Sequence, residues 1–168
     1  MKKSLIIAMC CITVLFAACK KEKPYEKFIG SYNGSALVSG TISIGSGGTS
    51  LNQDIEQAIP MAIGLSAGDA DNRLVLTYTP DGQEETFTAT GTITDEKVVF
   101  DPIQIEQEIE GTLVDVTLNL NGALNGNIFA LNGTFNGSGN IIIMEQPLPF
   151  PFSVTGTISA NLNKLLTE

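Results

Sequence analysis

Apolar and small residues alternate with polar ones along most of the chain. From Phe28 to Ile44, one face carries Phe28, Gly30, Tyr32, Gly34, Ala36, Val38, Gly40, Ile42 and Ile44. The other face carries Ser31, Asn33, Ser35, Ser39, Thr41 and Ser43, with Ile29 and Leu37 among them. A period of two over this length predicts a half-buried strand, bent where the glycines fall. The same alternation recurs further on, as in Phe87, Ala89, Gly91 and Ile93 set against Thr86, Thr88, Thr90 and Thr92. Eight strands are predicted: 28–44, 60–68, 72–79, 84–94, 97–109, 112–121, 127–143 and 152–163. Turn residues divide them, notably Thr79-Pro80-Asp81-Gly82, Gly68–Asn72 and Asn121–Gly126. Asn132-Gly133 and Asn136-Gly137 fit either a hairpin turn or one long kinked strand, and the kinked strand is preferred. One interruption predicts a helix over 51–59. There Ser50-Leu51-Asn52-Gln53 matches a capping box, Leu51, Ile55 and Ile59 are spaced by four, and Pro60 follows.

Short links between strands imply a meander, and an open eight-stranded meander would leave two unpaired edges. Closure removes them, so the expected fold is all-β: an eight-stranded antiparallel up-and-down barrel with one short helix after strand one. A two-sheet β-sandwich is the alternative. Gly-Thr-Ile recurs at Gly40, Gly91 and Gly156, with Gly-Thr-Phe at Gly133. The intervals are irregular, which excludes a solenoid or propeller and fits inward glycines where a sheet curls tightly.

The first residues are of another kind. Met1-Lys2-Lys3 is a short basic stretch, and residues 4–18 form an apolar run too short to span a bilayer as a helix. The run ends in Leu15-Phe16-Ala17-Ala18-Cys19, which resembles the lipobox of bacterial lipoproteins, with Phe16 where Leu is commonest. The resemblance implies a signal peptide over 1–18 and an acylated Cys19 as membrane anchor. Residues 19–27 are then the lipidated Cys and a charged tether rich in lysine, ahead of a single domain over 28–168. Lys20 stands where many such proteins carry the Asp that retains them in the inner membrane, so the resemblance implies outer-membrane attachment in the cell envelope.

Phe28-Ile29-Gly30-Ser31-Tyr32 opens the domain and Gly156-Thr157-Ile158-Ser159-Ala160 closes it. With the eight-strand order, these segments resemble the calycin superfamily, particularly the small calycin-like lipoproteins of Gram-negative bacteria. Tyr32 takes the place of the Trp in the lipocalin Gly-x-Trp. The resemblance implies a barrel whose interior either holds a small lipophilic ligand or is filled by its own side chains.

Composition narrows the chemistry. The chain has no His and no Trp, and Cys10, Cys11 and Cys19 are its only cysteines. Beyond Cys19, Ser-His-Asp and Cys-His catalysis, zinc sites built on His or Cys, and disulfides are excluded. No enzyme activity and no cofactor are expected. From residue 28 onward, three basic residues stand against 16 carboxylates, a formal charge of −13, which repels a phosphate backbone and excludes nucleic acid as a partner.

Three candidate sites remain. Tyr32, Tyr78, Phe87, Phe129, Phe135 and Ile158 fall on the inward faces, joined by Leu51 and Ile55 if helix 51–59 caps the barrel. They form either an apolar ligand pocket with tyrosine hydroxyls to orient the ligand, or an ordinary core. Glu106, Glu108 and Glu110 alternate on an outward face with Asp115 across the next turn, a conceivable surface Ca²⁺ site or simply solubilising charge. Gln146-Pro147-Leu148-Pro149-Phe150-Pro151-Phe152 has three prolines that oppose strand pairing. Its Leu148, Phe150 and Phe152 form either a docking strip for a protein or glycan partner or a loop tucked under the barrel end.

Overall fold

The computed structural model describes residues 23–46, 49–80, 86–109, 112–141 and 150–165. The expected signal peptide over 1–18, Cys19, Glu110 and Leu148 lie outside them, as do the side chains of Glu108 and Phe150. Nine strands follow a short turn at residues 24–28: β1 (Gly30–Ser46), β2 (Thr49–Ala67), β3 (Arg73–Tyr78), β4 (Phe87–Thr94), β5 (Lys97–Phe100), β6 (Ile103–Ile109), β7 (Thr112–Asn125), β8 (Ile128–Ile141) and β9 (Phe150–Lys164). All belong to one antiparallel sheet in the order β5-β4-β3-β2-β1-β9-β8-β7-β6. An additional pairing of β5 with β7 closes that sheet into a ring of eight strands, with β6 hanging from β7. There is one sheet, where a sandwich would need two.

Residues 51–59 are strand, not helix. Spacings of four and eight are multiples of two as well as near multiples of the helical period, so Leu51, Ile55 and Ile59 satisfy both patterns. Long-range pairing decides between them. Residues Thr49–Leu65 of β2 lie in unbroken register with Gly30–Ser46 of β1, from Ser46↔Thr49 to Gly30↔Leu65. Thr41 Oγ1 donates to Asp54 Oδ1 at 2.8 Å across that pair. Pro60 does not end the strand, because β2 meets β3 only over Ile63–Ala67. Among the described residues, Pro60 therefore sits where β2 has a neighbour on one side alone.

Two further boundaries move. The expected strand 97–109 breaks into β5 and β6. Val99 pairs with Asn121 and Ile103 with Leu118, so three residues face two and Asp101-Pro102 form a bulge. The Asp101 N–H donates to Thr90 O at 2.8 Å, and its carboxylate meets Arg73 Nη2 at 2.7 Å. The expected turn over 121–126 shrinks to the hairpin at Gly126-Asn127, and Asn121-Gly122 stay in β7. A Cβ at residue 122 would collide with the Phe129 ring, so this glycine makes room for an aromatic and does not turn the chain. Asn132 to Gly137 run inside β8, as the kinked-strand reading has it.

Pro151 and Phe152 are paired despite their prolines: Asn140↔Pro151 and Gly139↔Phe152 join β9 to β8. The pairing of β9 with β1 starts only at Phe152, so Pro151 also has a single neighbour strand.

The buried core is one cluster running from the end of the ring that residues 24–28 enter to Met61, Ile63, Leu76, Leu120 and Leu131 further along, with its most enclosed aromatics at the entering end. Phe28, Tyr32, Phe129, Leu74, Leu162 and Val98 are fully enclosed there. Phe28 and Phe129 stack edge to face with centroids 6.4 Å apart, and Tyr32 lies 5.6 Å from Phe129. The Tyr32 hydroxyl donates to Phe28 O at 2.7 Å, tying the first strand back onto the entering turn.

Candidate functional site

The two ends of the ring differ. At the entering end, the β2–β3, β4–β5 and β7–β8 turns surround the Phe28–Tyr32–Phe129 plug. Lys164 Nζ sits 5.8 Å above the Tyr32 ring and donates to Lys27 O at 3.1 Å, while Lys27 Nζ sits 5.6 Å above Phe28. Lys27 also meets Glu96 at 3.7 Å, and Lys23 meets Asp71 at 3.0 Å. The hydrogen bond to Asp71 raises the Lys23 pKa above its ordinary value. Burial raises that of the Tyr32 phenol.

Toward the other end the wall opens. The β3–β4 hairpin stops at Tyr78↔Phe87, whereas β2 and β6 run on without it. Among the described residues, 51–62 of β2 and 103–109 of β6 each have one neighbour strand, so two unpaired edges face the gap.

Beneath this gap lies an apolar cavity of about 170 Å³. Its walls are Ile59, Met61 and Ile63 from β2, Leu76 and Tyr78 from β3, and Phe87 and Thr88 from β4. Ile103 and Ile105 of β6, Leu118 and Leu120 of β7, Leu131 of β8 and Ile158 of β9 complete it. These residues converge because inward positions alternate along each strand and the paired registers set them side by side. An apolar cavity of about 150 Å³ holds a benzene ring, so this one takes about six carbons.

Above the cavity the concave face continues across one rung: Ile103, Leu118, Phe135, Gly156, Gly40 and Ile55 are successive register partners. Gly156 and Gly40 are necessary here. The Phe135 ring lies over both, and a Cβ at residue 156 would meet that ring 2.7 Å away at Cε1 and would strike Ser39 O. A bare patch of backbone two strands wide thus lets one aromatic lie flat on the sheet.

The sequence-derived pocket residues therefore separate. Tyr78, Phe87 and Ile158 line the cavity. Phe135 and Ile55 are half-buried on the rung above it, whereas Tyr32 and Phe129 belong to the plug. Leu51 is 79% exposed at the far end of β2, because the strand that replaces the expected helix carries it away from the mouth. Strand alternation alone did not single out Met61, Ile63 and Leu76 as lining. Their signal was the same inward parity, but distinguishing lining from plug needs the position along the closed ring. Phe152 is half-buried on β9.

Glu106 and Asp115 are exposed and face each other in register on the outer side. Among the described residues, no three His, Cys, Asp or Glu side chains converge to hold a metal. An open depression of about 730 Å³ follows the bulge on the outside, walled by Lys97, Val99, Asn119, Asn121 and Thr134 among others. It is a surface furrow of mixed polarity, so the smaller, wholly apolar cavity is the candidate site. No protein-family model matches the chain, and no curated protein matches it.

Proposed function

We propose that this protein is a membrane-anchored lipoprotein with a calycin-like barrel that binds a small lipophilic ligand in its interior and does not transform it. The observation that carries this reading is the cavity walled by aliphatic and aromatic side chains, lying where β2 and β6 each have one neighbour strand among the described residues. Pockets of this make-up recognise by apolar burial, at about 25 cal/mol per Å² removed from water. The lipobox-like Cys19 supplies the anchor, in the cell envelope and by resemblance on the outer membrane.

Native mass spectrometry of the protein, purified without detergent from a Gram-negative envelope, tests the reading. The expected result is a stoichiometric adduct of a few hundred daltons that denaturation releases. A bare mass, with no thermal shift across a lipid panel, overturns it.

A second reading has one specific observation in its favour. Leu51 stands 79% exposed near the end of the long β1–β2 hairpin, an apolar contact available to a protein or glycan partner. In that reading the interior is core and the hairpin or the neighbouring loops are the working surface.

A further inference from the structure

We infer that the outer furrow along the Asp101-Pro102 bulge is a second binding site, one for an uncharged oligosaccharide. It is separate from the interior cavity and from the β1–β2 hairpin, and it does not depend on the carrier reading.

The bulge makes the furrow. β5 stops at Phe100 and β6 begins at Ile103. Asn119 and Leu120 of β7 therefore pair with Thr134 and Gly133 of β8 but, among the described residues, with no strand on their other side. The depression of about 730 Å³ has Phe100 and Pro102 on one side of this break and Asn119 and Leu120 on the other. Its β5 side is apolar, with Val99 63% exposed and Pro102 exposed. Its β7–β8 side carries exposed amides and a hydroxyl, set side by side by the registers Asn121↔Asn132 and Asn119↔Thr134. Nearby Thr117 donates to Gln104 Oε1 at 2.9 Å. Among the described residues, the side chains of Asn119, Asn121, Asn132 and Thr134 make no hydrogen bond at all.

Each amide offers two donors and an acceptor in one plane, and a hydroxyl both donates and accepts. Three free amides and a threonine match a ligand dense in hydroxyls, while Val99 and Pro102 suit the C–H face of a sugar ring. A concave site with a few placed polar groups beside apolar surface is the usual form of a small-ligand site. No carboxylate lines the furrow to hold a cation. Lys97 is its single basic residue, in a domain where 16 carboxylates face three basic residues, so an anion is repelled. An extended peptide finds only two residues of open backbone on β7, too few to add a strand.

The test titrates the purified protein with neutral hexasaccharides of glucose, mannose, galactose and N-acetylglucosamine, and with hexagalacturonate, by calorimetry. At least one neutral hexasaccharide is expected to bind, with an affinity unchanged between about 20 mM and about 0.5 M salt. Asn121→Ala combined with Asn132→Ala is expected to weaken it on the order of tenfold through the lost hydrogen bonds. The thermal midpoint is expected to stay put, because both side chains are exposed and unbonded. Val99→Ser, on the opposite side, is expected to weaken the same sugar. Binding of hexagalacturonate alone, binding of no hexasaccharide, or a neutral-sugar affinity that these substitutions leave unchanged overturns the inference.

Discussion

At the scale of single residues, the plug depends on a phenol with one hydrogen bond. Tyr32 is fully enclosed, its hydroxyl donates to Phe28 O, and burial raises its pKa above the ordinary 10.0. The sign of the consequence follows from linkage. Below pH 10 the phenol is neutral whether the chain is folded or unfolded, and its contribution is intact. Above pH 10 the unfolded chain ionises first, so stability falls as pH rises toward the folded-state value. A phenolate also has no proton to donate to Phe28 O. Denaturant melts between pH 8 and 11 are expected to show this loss in the parent protein. In Tyr32→Phe the loss is smaller, because the group that titrates is gone. That variant starts about 1 kcal/mol less stable at pH 8, for want of the hydrogen bond. A parent and a variant with parallel alkaline profiles would remove Tyr32 from this role.

At the scale of strands, β1 and β2 make opposite predictions from the same hairpin. Residues 32–44 of β1 lie between β2 and β9, so both edges of that strand are paired. Among the described residues, 51–62 of β2 have β1 on one side and no partner strand on the other. Hydrogen exchange is expected to protect consecutive amides through β1 but only alternate ones along 51–62 of β2. Uniform protection there would mean that the edge is covered. The same stretch marks where local pattern stops being informative. Leu51, Ile55 and Ile59 obey two periods at once, and only their pairing with residues of β1 as far as 23 positions earlier (Ile59↔Ala36) separates the two. The strands with strict alternation, such as β4 and β9, are legible because the intermediate positions Ala89, Gly91, Gly156 and Ala160 are apolar or small as well, whereas Gln53 and Gln57 interrupt the alternation between Leu51 and Ile59. Gly122 and Pro151 misled for a related reason. Glycine next to asparagine signals a turn and proline signals a break, but here one clears space for Phe129 and the other sits beside a single neighbour.

At the scale of the whole ring, the aromatic plug and the apolar cavity lie at different levels of one continuous core, a separation invisible in the chain pattern. Phe87 and Phe129 have equal inward parity and equal chemistry in the sequence, and their difference comes from closure, through the β1–β9 and β5–β7 pairings. Closure puts Phe129 in the plug, wholly buried against Phe28 and Tyr32, and leaves Phe87 half-buried on the cavity wall below the gap. Phe129→Ala removes a ring from the best-packed part of the molecule, where the surroundings cannot collapse to fill it. It is expected to cost about 3–5 kcal/mol of stability. Phe87→Ala removes a half-buried ring from the wall of an existing cavity, so it is expected to cost less than about 2 kcal/mol while changing which alkyl chain lengths bind. Chemical denaturation and chain-length titration on the two variants check both halves. If Phe87→Ala destabilises as much as Phe129→Ala and leaves chain-length preference unchanged, the cavity wall is ordinary core. The converse pattern assigns folding to the Phe28–Tyr32–Phe129 plug and chain-length selection to the cavity wall at Phe87.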